Sequence, residues 1–199
     1  LLDQLGLAYV LHGNRETLAP GKVLLYDARA DAEVLVRHLA SLGHRRALHI
    51  AGPAEFEHEA DRRDAVGATG RELGLEFVFA ASDYSMGSGE RIAGETIAAD
   101  PAITAVLTSN DLLALGAQAA LNRAGREDVA IASWDDSLLC RLGTRPITAL
   151  DRSPEEQGRR STRMLLDQLA GTPTADHRAR ASHLIPRATS VPAPAPAAR

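Results

Sequence analysis

The chain has 199 residues and a formal net charge of −4, and 45% of its residues are hydrophobic, 24% charged and only 4% aromatic. This composition is that of an ordinary globular protein, and it predicts a core of leucine, valine, isoleucine and alanine rather than aromatic rings. Lys22 is the only lysine, and the arginines are scattered along the chain. Because a sequence-independent grip on DNA needs clustered positive charge, no DNA-binding surface is expected on this chain.

Targeting and redox signals are also weak. No run is long and apolar enough to predict a membrane-spanning helix, and residues 1–13 lack the basic region and cleavage signature of a signal peptide. Cys140 is the only cysteine, so an intrachain disulfide is impossible, and the thiol is interpreted as an incidental small side chain. These features favour a cytoplasmic location without membrane contact.

Short apolar runs alternate with longer helical patterns, which predicts an α/β fold. In chain order, the predicted strands cover residues 7–11, 23–26, 47–51, 75–81, 105–108, 129–133, 147–150 and 182–185. The predicted helices cover residues 31–42, 55–73, 88–99, 112–124 and 154–170, and four of them end at glycines 43, 74, 125 and 171. Strands that alternate with helices pair in parallel through right-handed crossovers, so parallel sheets flanked by helices are expected.

Two helix starts carry specific signals. Asp31 can cap the first helix, because its carboxylate can accept hydrogen bonds from exposed amides of the first turn. Ser153 and Glu156 have the spacing of a capping box, and Pro154 occupies the first helical position, where its missing N–H costs nothing. Residues 191–199, rich in proline and alanine, predict a disordered tail.

Polar side chains follow two of the predicted strands. Asn110 and Asp111 come soon after one buried strand, and Asp135 and Asp136 come soon after the next. In an open parallel α/β sheet, ligands bind beyond the carboxyl ends of the strands. We therefore expect Asn110 and Asp135 to lie where a ligand binds, whereas Asp111 is interpreted as a helix cap and Asp136 as structural.

Several segments occur in a specific order: HLASLGHRRALHIAG (38–52), SNDLLALGAQAAL (109–121), DVAIASWDDS (128–137), RPITALDRSPEEQGRRSTRMLLDQL (145–169) and HLIPRATS (183–190). Arg62 also stands five residues before Gly67. Together these features resemble the effector-binding core of the LacI/GalR family of bacterial transcription repressors. The resemblance runs from about Val23 to Ser190, and it rests on the order and spacing of the segments rather than on one motif.

The resemblance implies a two-lobed, type I periplasmic-binding-protein-like fold with the ligand in the cleft. By analogy, residues 1–37 and 153–170 form part of the N-terminal lobe, and residues 38–152 and 171–190 form the C-terminal lobe. Family members begin with a helix-turn-helix headpiece, a hinge and further units of the first lobe. Here the resemblance starts late in that lobe, so we expect no headpiece and an incomplete first lobe, with an exposed sheet edge unless a partner chain covers it.

The resemblance also implies which side chains contact the effector. Asp135 matches the family's effector-contacting aspartate, and an ionised carboxylate can accept from two sugar hydroxyls. Asn110 matches the ligand asparagine, and the guanidinium of Arg62 can bind vicinal hydroxyls or a carboxylate at two points. Four further candidates are Trp134, Tyr84, Arg152 and Asp27.

Each candidate has a structural alternative. Asn110 could simply cap the helix that follows it, and Arg62 could be solvated, as helical arginines usually are. Trp134 is as compatible with core packing as with stacking on a sugar face. Arg152 suggests an anionic ligand, but a surface role fits it equally well, and Asp27 has the weakest support.

No pattern supports catalysis, a metal site or a cofactor. The seven histidines lack the HExxH type of spacing, and no phosphate loop, dinucleotide fingerprint or GxSxG elbow is present. His44, in a Gly-His-Arg turn, is interpreted as bonding backbone at a helix–strand junction.

We therefore predict the effector-binding, dimerising core of a LacI-type regulator whose ligand is a sugar or sugar derivative. The homodimer would reach operator DNA only through a headpiece that this chain lacks. Three alternatives remain: a solute-binding protein of a transporter, which shares the fold, an enzyme on an α/β scaffold, and a fragment that binds no ligand. The Gly-His-Arg turn and the HLIPRATS ending look more like those of the regulators.

Overall fold

The computed structural model describes residues 2–14, 19–142 and 145–193. The chain divides into two compact units, a smaller one of Leu1–Ala28 and Arg152–Ser182 and a larger one of Arg29–Asp151 and His183–Arg199. Compared with the lobe boundaries expected from the sequence, residues 29–37 fall in the larger unit, whereas Arg152 and residues 171–182 fall in the smaller. The assignment of these units to the two family lobes stays a prediction.

Strands and helices alternate along most of the chain. In order, the elements are β1 (Leu11–Gly13), β2 (Val23–Leu25), α1 (Ala28–Ser41), β3 (Arg46–Ala51), α2 (Glu57–Leu73), β4 (Glu76–Ala81), α3 (Met86–Ala99), β5 (Ala105–Thr108), α4 (Asp111–Arg123), β6 (Ala130–Ser133), α5 (Leu138–Leu142), β7 (Thr148–Asp151), α6 (Pro154–Leu169), β8 (His177–Arg178) and β9 (His183–Ile185). The α/β class predicted from the sequence is confirmed, whereas the short elements α5 and β8 were not predicted.

Within the described residues, the larger unit contains a six-stranded sheet in the order β4-β3-β5-β6-β7-β9. The first five strands are parallel, as expected, and β9 runs antiparallel to β7. The chain reaches β9 after α6 and β8 rather than through one crossover helix, so the rule for parallel crossovers does not apply to it.

Aliphatic side chains cover both faces of this sheet. On one face Leu48, Ile50 and Ile131 pack against α3 and α4, and on the other face Ala47 and Leu107 pack against α1 and α2. Successive strand residues point to opposite faces, so a sheet covered by helices on both sides needs continuous apolar strands. This is why β5 and β6 read as unbroken apolar runs in the sequence, and it matches the aliphatic core expected from the composition.

The smaller unit, as far as the structure describes it, is built on a parallel three-stranded sheet in the order β1-β2-β8. Ala19, Val23 and Leu25 form its buried cluster, with Tyr9 and Leu11 packed against it. The sequence predicted a strand over residues 7–11, whereas the observed strand β1 begins at Leu11.

Two predicted helix caps are wrong. Helix α1 begins at Ala28, so Asp31 lies inside its first turn and is buried, because the alanines before it extend the helix towards the N-terminus. Ser153 precedes α6 with φ of 53° and makes no side-chain cap bond. A capping side chain needs an extended backbone, and Glu156 bonds Arg160 at 2.7 Å instead. Pro154 does occupy the start of α6, as expected.

Residues 191–193, which the sequence predicted to belong to a disordered tail, contact the folded core. The His44 ring bonds the carbonyl of Val191 at 3.0 Å, and the amide of Ala193 donates to the Leu42 carbonyl at 2.9 Å. Val191 also packs against the core between the sheet and α1. His44 thus bonds backbone, but that of Val191 rather than that of the helix–strand junction, and residues 194–199 lie outside the described part of the chain.

Candidate functional site

Polar residues of the larger unit converge at one edge of its sheet. Strand β3 is followed by Gly52 and β4 by Tyr84. Strand β5 is followed by Asn110, and β6 by Trp134 and Asp135. Since the strands are parallel, all their carboxyl ends meet at the same edge. Arg62 reaches this edge from helix α2, where it contacts Ser109 and the Trp134 ring. The structure thus brings together five of the seven residues predicted to bind the effector.

Arg62 is held from three sides and only 8% of its surface is exposed. Its Nη1 donates to Glu59 Oε1 at 2.7 Å and to the Ser109 carbonyl at 3.4 Å. Its guanidinium lies over the Trp134 ring, 5.0 Å from the ring centre. A buried, stacked guanidinium is fixed in orientation, so Arg62 is not the solvated arginine that the alternative interpretation allowed.

Glu59 is the buried acid at this edge, and the sequence analysis did not find it. It is 2% exposed, and its Oε2 accepts from the Gly52 amide at 2.7 Å and from Ser109 Oγ at 2.6 Å. Burial alone would raise the pKa of Glu59, but these hydrogen bonds and the charge of Arg62 together lower it. The spacing of three residues between Glu59 and Arg62 places both on one face of α2, which is the signal that would have found it.

Tyr84 packs onto the backbone of Gly52, which directly follows β3. A Cβ built on Gly52 would lie 2.1 Å from Tyr84 Cζ, so only glycine leaves room for the ring. The Tyr84 hydroxyl bonds His58 Nε2 at 2.9 Å, and the ring stacks on Phe56 with centres 6.3 Å apart. Burial and the charge of Glu59 raise the pKa of Tyr84, so it stays a neutral hydroxyl.

Asn110 caps helix α4, a role that the sequence analysis gave to Asp111. Asn110 Oδ1 accepts from the Leu113 amide at 2.8 Å, and its Nδ2 donates to the Tyr84 carbonyl at 3.3 Å. Asp111 Oδ1 only accepts from the next residue, Leu112, at 2.8 Å. The extended backbone of Asn110 is what allows the cap. Contact between Asn110 and a ligand stays a prediction.

The two adjacent aspartates after β6 differ sharply. The side chain of Asp136 is 4% exposed and lies 2.8 Å from both Arg141 and Arg187. Burial would raise the pKa of Asp136, but these two arginines lower it. Asp135 is only half-buried, and its carbonyl accepts from Ser133 Oγ at 3.0 Å. Asp136 is therefore structural, as expected, whereas contact between Asp135 and a ligand stays a prediction.

Trp134 is a support for Arg62 rather than a surface for a sugar. Only 1% of it is exposed, because it packs in the core between the sheet and helices α1 and α2. The guanidinium of Arg62 lies over its ring. The predicted stacking of a ligand on Trp134 therefore does not fit this structure.

The two remaining candidates belong to the smaller unit. The Arg152 guanidinium lies over the Tyr26 ring, 5.6 Å from its centre. Asp27 is exposed and directly follows Tyr26. Their roles in ligand binding stay predictions.

Cys140 is a buried thiol next to the candidate site. Burial raises the pKa of the Cys140 thiol to about 11, and its Sγ donates to the Asp135 carbonyl at 3.5 Å. A thiol of this kind is a poor nucleophile at neutral pH. In residues 2–14, 19–142 and 145–193, no group of three or more histidine, cysteine or acidic side chains could hold a metal ion. In the same ranges, no helix is long and apolar enough to cross a membrane.

His49 lies beneath the edge and is completely buried. Its Nε2 is 3.5 Å from Ser109 Oγ, and its ring meets Phe79 edge-on. Burial lowers the pKa of His49 to about 4. The folded chain therefore binds a proton at His49 less readily than the unfolded chain, in which a histidine has a pKa of about 6.5.

We expect this histidine to make folding sensitive to mild acid. Between its folded and unfolded pKa values the unfolded chain binds more protons, so stability present at pH 7 is lost as the pH falls from about 6.5 towards 4. From pH 7 to pH 5, His49 alone should lower the free energy of unfolding by about 2 kcal/mol. Urea denaturation of the wild type and His49→Gln at both pH values measures this, and an equal loss in both chains would contradict it.

The comparisons with known proteins agree on one fold. Residues 36–190 match the sequence profile described as periplasmic binding protein-like domain. The transcriptional regulator CelR of Thermobifida fusca is 31% identical over 184 residues, which cover 87% of this chain and 54% of that protein. The chain spans about half the length of the curated relatives it matches.

Solved structures of related regulators have the same fold. A LacI family transcriptional regulator from Bifidobacterium animalis subsp. lactis is 28% identical, with a TM-score of 0.89 over 96% of this chain and 72% of that one. A complex of the regulator CelR with cellobiose is 27% identical, with a TM-score of 0.82 over 94% of this chain and 60% of that one.

Proposed function

Because this chain belongs to the periplasmic binding protein-like family found in LacI-type transcriptional regulators, we propose that it binds a small carbohydrate effector. The ligand would bind at the carboxyl edge of the larger unit's sheet. The observation that carries this proposal is the convergence of Asp135, Asn110 and Arg62 at that edge.

The chemistry of these side chains suits a ligand rich in hydroxyl groups. The Asp135 carboxylate can accept from two neighbouring hydroxyls, while the Asn110 amide can both donate and accept. The guanidinium of Arg62 supplies fixed donors from the other side. A carbohydrate is further supported by the related regulator CelR, whose solved structure is a complex with cellobiose.

In the whole protein, ligand binding would act on DNA through a shift between conformations. A ligand can move such an equilibrium only by binding one arrangement better than the other. We propose that the chain works as a homodimer and affects operator DNA only through a headpiece outside this sequence. The chain itself would make no specific contact with DNA or a membrane.

Three alternatives are less well supported. The matched relatives are transcriptional regulators, which favours a regulator over a transporter's solute-binding protein and over an enzyme. The same relatives support a cytoplasmic location. A fragment without a ligand would not need the buried Glu59–Arg62 pair at the sheet edge.

A thermal-shift screen against sugars, sugar phosphates, polyols and nucleosides tests the proposed function. A ligand at a hundredfold excess over its dissociation constant stabilises the folded chain by about 2.7 kcal/mol. A clear increase in melting temperature with a carbohydrate is the expected result. A chain that melts cooperatively but responds to none of these compounds would contradict the proposal.

The surface of helix α5 suits self-association. Leu138, Leu139 and Leu142 are all exposed there, whereas Cys140 on the same helix is buried. Three exposed leucines within five residues form an apolar surface of the kind that marks protein–protein contacts. We propose that a second copy of the chain covers this surface.

Leu142→Glu should therefore weaken the dimer. Leu142 is 71% exposed, so a charge there is tolerated by the monomer but would be desolvated in a dimer. We expect the dimer dissociation constant to rise at least about 30-fold, equivalent to about 2 kcal/mol. Sedimentation velocity measures this, with Leu169→Glu as the control because Leu169, in the smaller unit, is 68% exposed. Equal effects of the two substitutions would rule out α5 as the contact.

A further inference from the structure

We propose that Glu59 makes the site selective for uncharged ligands, so that sugar phosphates and sugar acids are rejected. This inference rests on the ligand site proposed above and defines the class of carbohydrate it takes. Arg62 is the cation best placed to bind a ligand anion. Its guanidinium is already paired with the buried carboxylate of Glu59.

The pairing between Arg62 and Glu59 is complete before any ligand arrives. Arg62 Nη1 lies 2.7 Å from Glu59 Oε1, and the two side chains are 10% and 2% exposed. The other oxygen of Glu59 is occupied by the Gly52 amide and Ser109 Oγ. A carboxylate held by donors on both oxygens cannot move aside at low cost, so a ligand anion would meet the field of a neutral pair rather than of a free cation.

A second carboxylate adds to this field. Asp135 stands at the same edge, and the charges of both Glu59 and Asp135 help to raise the pKa of Tyr84. Arg141 and Arg187 are already paired with Asp136. An anionic group at this edge therefore meets the Asp135 carboxylate and an arginine, Arg62, whose charge Glu59 already neutralises.

The remaining charged neighbours on α2 do not reverse this balance. Arg63 lines a small cavity with Gly52 and Glu59, but its side chain is exposed, so solvent and salt screen its charge. His49 is buried and neutral at pH 7, because its pKa is about 4. Because it is costly to desolvate a phosphate where the nearest arginine is already paired, we expect a phosphate group to weaken binding by at least about 100-fold relative to the matching neutral sugar.

Inorganic phosphate tests the charge arrangement without any sugar. The wild type should gain no thermal stability from phosphate at constant ionic strength. Glu59→Gln should bind phosphate at the unpaired Arg62, with a dissociation constant at least about tenfold lower than that of the wild type. Adding Arg62→Met to Glu59→Gln should remove this gain. Phosphate stabilisation of the wild type, or no gain in Glu59→Gln, would overturn the proposal.

Ser109→Ala is the matched control. It removes one hydrogen bond to Glu59 but keeps the carboxylate charge, so it should still reject phosphate. A gain of phosphate binding in Ser109→Ala equal to that in Glu59→Gln would show that loosened packing, not charge, is responsible. If Glu59→Gln does not fold, the wild-type phosphate titration and the sugar comparison still decide the question.

The sugar comparison uses matched pairs such as cellobiose and its 6′-phosphate, or glucose and glucose 6-phosphate, measured by calorimetry. The expected result is at least about 100-fold preference for a neutral member. Equal or tighter binding of a phosphate overturns the selectivity. If no sugar of either kind binds but Glu59→Gln gains phosphate, the proposed carbohydrate function fails while the charge selectivity of the edge stands.

Discussion

Replacing Asp135 by alanine should abolish effector binding and leave the fold intact. The carboxylate is half-buried at the sheet edge, where it can accept from two hydroxyls of a ligand. Each hydrogen bond to a charged group contributes about 1.5–3 kcal/mol, so losing two of them should cost at least about 3 kcal/mol. This corresponds to a loss of affinity of about 150-fold or more, which calorimetry with the ligand from the thermal screen would measure.

The neighbouring residue supplies the control for this prediction. Asp136→Asn leaves Arg141 and Arg187 without their shared carboxylate, so it should lower the free energy of unfolding by about 3 kcal/mol. Asp135→Ala should destabilise the ligand-free chain less than Asp136→Asn does, because Asp136 is shared by two arginines. Unchanged affinity in Asp135→Ala would remove that residue from the site.

Replacing Gly116 by alanine should cause a large loss of stability. A Cβ at Gly116 of α4 would lie 2.0 Å from the Met86 carbonyl oxygen and 2.6 Å from the Glu90 amide nitrogen. Both are backbone atoms of α3, so the helix itself has to move away. Overpacking of this kind costs about 3 kcal/mol, and urea denaturation would measure the loss.

Gly94→Ala is the matched control, because it lies in the same pair of packed helices. Its Cβ would meet Ala120 Cβ at 3.7 Å, which is an ordinary contact. Since alanine favours a helix over glycine, this change should raise stability by up to about 1 kcal/mol. Equal stability of Gly116→Ala and the wild type would show that α3 and α4 are not packed this closely.

Much of the fold and part of the site could be predicted, because both depend on local patterns. The continuous apolar runs of β5 and β6 predict buried parallel strands, and the polar residues that end them must lie at one edge. Asn110 and Asp135 follow from that rule alone. Arg62 did not, since a helical arginine has no local feature that distinguishes it, and only the family resemblance selected it.

The errors come from tertiary contacts that override local signals. Ser153 has a capping sequence but a left-handed backbone, so its side chain cannot reach the first amides of α6. Trp134 directly follows a strand, as the predicted site residues do. In the structure, however, its side chain is buried in the core, and the Arg62 guanidinium lies over its ring. Glu59 was missed because its partners, Gly52 and Ser109, are distant in sequence and meet it only in the folded chain.

A fluorescence titration of Trp134 tests the proposed ligand site most directly. It is the only tryptophan, and the Arg62 guanidinium lies 5.0 Å from the centre of its ring, so a ligand that contacts Arg62 must change its emission. We expect a saturable change with a neutral carbohydrate, and no change in Asp135→Ala. A carbohydrate that stabilises the chain without altering Trp134 emission, or that acts equally on Asp135→Ala, would place the ligand elsewhere and contradict the account.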